Sequence, residues 1–245
     1  MYRNGHLNTI AASSLLRKAY TQRVSHRLRK QSDSRILSLP GDIQLQGLLT
    51  THNSNEQKPL VMILHGWLGC ANSLYLLPLA SRLYEQGFNI FRLNFRDHGN
   101  TQHLNKELFH SCRLGEVLDA TQAIQEQIPH SKFYIIGYSL GGNFALRIGA
   151  NAKNKNLKID KIISVCPVMN AANALEETKS MLKIYTKYYL RRWKNMLNIK
   201  HKLFPENYDL KTINQQKSLT SMTEHLLLHY TEYDSLNSYL QGYSI

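Results

Sequence analysis

The chain has 245 residues, of which 42% are hydrophobic and 19% charged; this excludes a disordered chain and allows one sizeable core. No run approaches the roughly eighteen uninterrupted apolar residues of a spanning helix. Three cysteines without a close pair (Cys70, Cys112, Cys166) exclude a disulfide framework and a zinc site, so reduced thiols and a cytoplasmic location are expected.

The formal charge of +13 is unevenly spread: Met1 to Arg35 carry eight Lys/Arg and one acid, leaving +6 over the other 210 residues. A basic amino-terminal arm of this kind can be a solvated helix, a transit peptide, or a weak contact for anionic lipid or RNA. The solvated helix is the preferred reading, and no nucleic-acid partner is expected.

In chain order, Asn8 to Lys30 reads as a basic helix, with Leu15, Leu16, Ala19 and Val24 on one side. Arg35 to Leu39 and Ile43 to Leu49 read as strands joined by a turn at Pro40-Gly41-Asp42. Leu60 to Leu64 is a short apolar run, as expected for a strand covered on both faces of a parallel sheet. Ser73 can cap a helix running to about Gln86, Gly87 ends it, and Phe88 to Leu93 is the next strand. Leu114 to Gln127 is helical, Lys132 to Ile136 is a strand, Asn143 to Ala150 is helical, and Lys161 to Val165 suits an interior parallel strand. Strands alternating with helices predict right-handed βαβ units and a doubly wound, mostly parallel sheet. Beyond Pro167, Asn170 to Ile199 looks helical and no later segment reads as a strand. The expected division is a basic arm (1–34), an α/β core (35–169) and a helical lid-like segment (170–245).

Gly137-Tyr138-Ser139-Leu140-Gly141 lies between a predicted strand and a predicted helix. That context defines a nucleophile elbow, in which glycines allow a sharp turn and a serine is held in a strained conformation above the sheet. Ser139 is the expected catalytic nucleophile. The expected oxyanion donors are the backbone N–H groups of Leu140, just after the serine, and of Trp67 in the loop His65-Gly66-Trp67-Leu68-Gly69. His65, Gly66 and Tyr138 are expected to contact substrate, with His65 ordering its loop and not acting as the base. The Gly137 to Gly142 spacing does not suit a dinucleotide, and no cofactor or metal is expected.

Four motifs occur in order: Asn4-Gly5-His6-Leu7-Asn8-Thr9, His65-Gly66-Trp67-Leu68-Gly69, Asn94-Phe95-Arg96-Asp97-His98-Gly99, and Gly137-Tyr138-Ser139-Leu140-Gly141-Gly142-Asn143. Together they resemble the YheT-type α/β-hydrolases, a family of serine esterases. The resemblance runs from the amino terminus to about Pro167 and makes a transit peptide less favoured. It implies an α/β-hydrolase fold with a helical lid and hydrolysis of a small-molecule carboxylic ester through an acyl-serine.

In this fold the triad acid and histidine follow the serine in the chain. No Asp after a late strand and no subsequent His-bearing loop is legible, so the last strands of the sheet are expected to be missing and activity impaired. A catalytically inactive protein that binds an acyl ligand or a partner is the alternative. His225 and His229 share a helix face, with Asp234 nearby, and read as a solvated or lid-packing face. Asp97-His98 reads as a pocket-shaping loop, and Asp160 as a turn residue.

Overall fold

The computed structural model describes residues 14–180 and 182–245. The Asn4–Thr9 motif, like the start of the predicted basic helix, lies outside them. Two short helices come first, α1 (Leu15–Val24) and α2 (His26–Lys30). Ser14 caps α1, its hydroxyl accepting from the Arg17 N–H at 3.2 Å. Leu15 and Leu16 are more than four-fifths exposed, whereas Thr21, Ser25 and Leu28 are buried. These three follow i, i+4, i+7 spacing, and Leu28 enters the core beneath the later helix α3.

Six strands form one sheet in the order β1-β2-β4-β3-β5-β6. β1 (Asp33–Leu39) and β2 (Ile43–Thr50) are an antiparallel hairpin whose turn places Gly41 at φ 74° and Asp42 at φ 57°. β2 pairs antiparallel with β4 (Asn89–Leu93), and the remaining ladders are parallel. These involve β3 (Leu60–Leu64), β5 (Phe133–Tyr138) and β6 (Lys161–Val165).

The period-two side-chain alternation of strands explains the two cores. Leu60, Met62 and Leu64 of β3, with Phe133 and Ile135 of β5, face α4 (Leu114–Gln127) and α5 (Leu140–Asn151). Val61, Ile63 and Ile136 face the other way, against α3 (Leu77–Glu85). Both faces of β3 and β5 are therefore covered, which is why they read as unbroken apolar runs.

One local expectation needs correction. The helix expected from Ser73 begins at Leu77. The Ser73 hydroxyl is taken by the Cys70 N–H at 2.9 Å, and Pro78 fits only a first helical turn. β6 is the edge of the sheet, in keeping with the expectation that no later segment supplies its next neighbour. Among the described residues it pairs only with β5, and Ile163 is 47% exposed.

Everything after β6 is helical among the described residues: α6 (Ala171–Ser180), α7 (Lys183–Leu203), a 3₁₀ turn (Pro205–Asn207), α8 (Leu210–Gln215), α9 (Leu219–Tyr230) and α10 (Leu236–Tyr243). These helices pack on each other through Leu197, Tyr208, Ile213, Met222 and Leu226, which gather around Leu108 of the core. No described helix is long and apolar enough to cross a membrane.

Candidate active site

β5 runs straight into α5 through Ser139, which takes φ 53° and ψ −116°. This backbone geometry belongs to glycine and is held only where its surroundings over-determine it. Here the Ser139 N–H donates to Val165 O at 2.9 Å and the Ser139 carbonyl accepts from the Asn143 N–H at 3.0 Å. A Cβ on Gly137 would collide with the Gly141 backbone, and one on Gly141 would collide with the carbonyls of Leu64 and His65. The turn therefore closes only with hydrogen at both positions.

The loop after β3 lies against this elbow. A Cβ on Gly66 would sit 3.3 Å from that of Ser139, and the Gly66 N–H is already donated to the Tyr75 hydroxyl at 2.8 Å. Among the described residues, neither the Trp67 nor the Leu140 N–H has a protein acceptor. Ser139, Trp67 and Leu140 line one cavity of about 220 Å³, whose other walls are mostly apolar: Val168, Leu175 of α6, Trp193 of α7, Leu226 of α9 and Leu240 of α10.

His65, Gly66 and Tyr138 do not line that cavity, contrary to expectation. His65 is fully buried; its Nδ1–H donates to Gly66 O at 2.7 Å and its Nε2 accepts from the Phe95 N–H at 3.3 Å. Both nitrogens are committed in one neutral tautomer, so His65 orders the loop and has no atom left for a substrate. Tyr138 points to the other face of the sheet and packs on Tyr75 at 5.4 Å.

His98 repeats the arrangement one loop away. Its Nδ1–H donates to Arg96 O at 2.7 Å and its Nε2 accepts from the Leu68 N–H at 3.2 Å, tying the two loops together. The His65 and His98 rings lie 5.0 Å apart. Burial, reinforced by His98, holds the His65 imidazole well below its ordinary value. Burial lowers His98 from 6.5 to about 4. Between these values the unfolded chain binds a proton that the folded chain refuses, so stability falls as pH drops from 6.5 toward 4. The midpoint of thermal unfolding should fall over that window, with a shallower slope in His98→Gln. A slope unchanged in the variant would contradict this account.

Asp97, at φ 62°, accepts from Lys200 Nζ of α7 at 2.7 Å and from the Phe109 N–H at 2.9 Å. Arg96, 1% exposed, is clamped by Glu116 at 2.8 Å and Glu107 at 3.1 Å. The third motif thus builds the scaffold beneath the cavity, and its charged groups are spent on that.

His110 was not legible in the sequence, because it lies in an irregular segment with no motif. Among the described residues it is the one histidine lining the cavity, and neither of its ring nitrogens has a hydrogen-bond partner there. Glu232 stands 3.6 Å from Nε2. Burial lowers His110 to about 4, with Arg113 adding to the effect and Glu232 opposing it. His110 makes no hydrogen bond to Ser139, and both His65 and His98 are committed elsewhere. Among the described residues no imidazole is in place against the serine hydroxyl. The His225 and His229 rings lie 4.4 Å apart and tilted on α9, outside the cavity wall.

A strained serine elbow, a glycine loop set against it and a parallel sheet with two antiparallel strands define a hydrolase-type architecture. Residues 59–207 match the α/β-hydrolase fold family, and the chain belongs to it. The YheT resemblance is carried by a curated relative from Escherichia coli (strain K12), named "Putative esterase YheT". It is 28% identical over 139 residues, covering 55% of this chain and 40% of the relative. A Haemophilus influenzae protein named "Putative esterase/lipase" is 29% identical over 94 residues, covering 38% of this chain and 29% of its own length. The chain thus spans less than half the length of the curated relatives it matches. Among solved structures, the Pyrococcus furiosus esterase Pf2001 shares the fold, with a TM-score of 0.51 and 15% identity over 68% of this chain and 64% of that one.

Proposed function

We propose that the chain acts on small carboxylic esters, with Ser139 as the nucleophile of an acyl-serine mechanism. The single observation that carries this is the strained Ser139 at the wall of an apolar cavity, beside the acceptor-free N–H groups of Trp67 and Leu140. Ser139 Oγ attacks the ester carbonyl, and the oxygen that gains charge is held by those two donors at the start of α5. The Oγ proton, relayed by water, passes to the leaving oxygen as the adduct collapses, which expels the alcohol and leaves the acyl group on Ser139; a water then adds to the acyl carbonyl, gives its proton back to Oγ and releases the acid. The apolar wall takes the acyl chain, with residues 35–169 as the catalytic core and 170–245 as the lid.

Among the described residues no imidazole stands against Ser139, and this sets the rate those residues support. General-base help is worth about 10²–10⁴-fold, so the described residues alone support reaction with activated acyl or phosphonyl reagents and slow turnover of ordinary esters. That observation also favours a second reading, in which the cavity binds an acyl ligand without turning it over.

A fluorophosphonate reagent separates the two. Intact-mass analysis should show one adduct, mapped by peptide sequencing to Ser139. A folded protein that stays unmodified, yet is stabilised against heat by a fatty acid, would remove the enzymatic reading and leave the binding one.

A further inference from the structure

We infer that the solvent face of α7 docks on an anionic lipid surface, so that the esters reaching Ser139 are drawn from a membrane or lipid aggregate. The statement about ester source rests on the acyl-serine reading; the docking does not.

α7 holds Lys183, Lys187, Arg191, Arg192, Lys194, Lys200 and Lys202 and no acidic residue. Helical periodicity splits it cleanly. Tyr189, Leu190, Trp193, Met196, Leu197 and Lys200 turn inward, whereas Ile184, Tyr188, Arg191, Asn195, Ile199 and Lys202 form an exposed stripe. The exposed face is not simply polar. Ile184 is 71% exposed, Tyr188 54% and Ile199 43%, with Leu182 and Leu203 exposed at either end. These five are a third of the large hydrophobics that the described residues leave in water. Isolated exposed apolar residues need no explanation, but a row of them among cations on one helix does.

The pairing of apolar side chains with the exposed Lys183, Lys187, Arg191 and Lys202 fits the interface of an anionic bilayer, where the former enter the acyl boundary and the latter meet lipid phosphates and carboxylates. A nucleic-acid backbone would use the cations and leave Ile184, Ile199 and Leu203 in water. The acids nearest in the chain are Glu176 and Glu177 of α6 and Glu206 of the 3₁₀ turn, all outside the helix.

The inward side of the same helix gives the docking a purpose. Trp193 lines the cavity and meets Trp67 edge-on at 5.0 Å, Tyr189 stacks on Trp67 at 5.9 Å, and Arg192 donates to Leu68 O at 2.7 Å. One helix therefore contacts solvent with its lipid-compatible face and the proposed oxyanion loop with the other.

Flotation of the full chain with phosphatidylserine-containing vesicles, against pure phosphatidylcholine vesicles, tests this. Salt-sensitive flotation with the anionic vesicles is expected. The Lys187→Glu/Arg191→Glu variant should partition at least about tenfold more weakly. Ile184→Ser/Ile199→Ser should also lose binding, with thermal unfolding unchanged because both sites face water. Arg17→Glu/Lys18→Glu on α1 should float like wild type. No flotation of wild type would overturn the inference, as would loss in the α1 variant alone. Binding to a single-stranded RNA oligonucleotide without vesicle binding would also overturn it. Fluorophosphonate modification of Ser139 without lipid is the separate readout: modification without flotation defeats the docking alone, and flotation without modification supports the docking and defeats the acyl-serine reading alone.

Discussion

Replacing Lys200 with methionine is expected to destabilise the protein by about 3–5 kcal/mol, because it leaves a buried carboxylate without its counter-charge. Lys200 and Asp97 are both fully buried as side chains and meet at 2.7 Å. The ammonium also donates to the carbonyls of Gln102 and Glu107, each at 3.2 Å, and to that of Asn105. Burial pushes Asp97 up and Lys200 down, so each group alone would favour its neutral form. The pair is therefore held charged by mutual contact and by the carbonyls that accept from the ammonium, and its two halves should behave very differently singly and together. Urea unfolding should show large losses for Lys200→Met and a partial recovery in Asp97→Asn/Lys200→Met, where no unpaired charge remains. A Lys200→Met midpoint close to wild type would mean that water reaches Asp97. The interaction also pins α7 to the loop that carries Asp97 and His98, so the single variant should loosen the cavity roof before the sheet unfolds.

What the sequence revealed follows from how local each cause is. β3, α4 and β6 were legible to within a residue at either end, since continuous apolar runs and an amphipathic period need only near neighbours. The elbow was legible for the same reason: Gly137, Ser139 and Gly141 meet within one turn. The start of α3 was not, because Ser73 had a choice of backbone donors and took Cys70. The packing of α1 through Thr21 and, with α2, through Ser25 and Leu28 was not legible, because pattern alone ranks that face as the polar one. Trp67 and Leu140 do lie at the cavity wall with Ser139, a placement that their neighbours in the chain suffice to set. His65 was expected both to order its loop and to meet substrate, and only the first survives, because both its nitrogens are used by backbone groups. His110 and Glu232 are separated by 122 positions and come together only through the packing of the helical segment on the core. No spacing rule reaches that far.

Ser139→Ala should lose all fluorophosphonate modification, and the comparison with Ser139→Gly should show what the elbow costs the fold. At φ 53° and ψ −116° a side chain of any kind is strained, by about 1–3 kcal/mol, whereas glycine occupies this region freely. Alanine keeps the Cβ and therefore the strain; glycine removes it but loses about 0.5–1 kcal/mol to its greater freedom when unfolded. Ser139→Gly is accordingly expected to unfold at higher denaturant than Ser139→Ala, by roughly 1 kcal/mol, while both are inert to the reagent. Modification that persists in either variant would move the nucleophile elsewhere, with the cavity-lining Ser111 the first alternative to replace. Equal stability of the two variants would mean that the surrounding contacts, not the backbone angle, set the energy of the turn. The expected order has a functional meaning: the conformation that lifts the hydroxyl to the cavity wall is one that a fold selected for stability alone would give to glycine. Serine at an angle that glycine takes freely is what the proposed chemistry at the hydroxyl calls for.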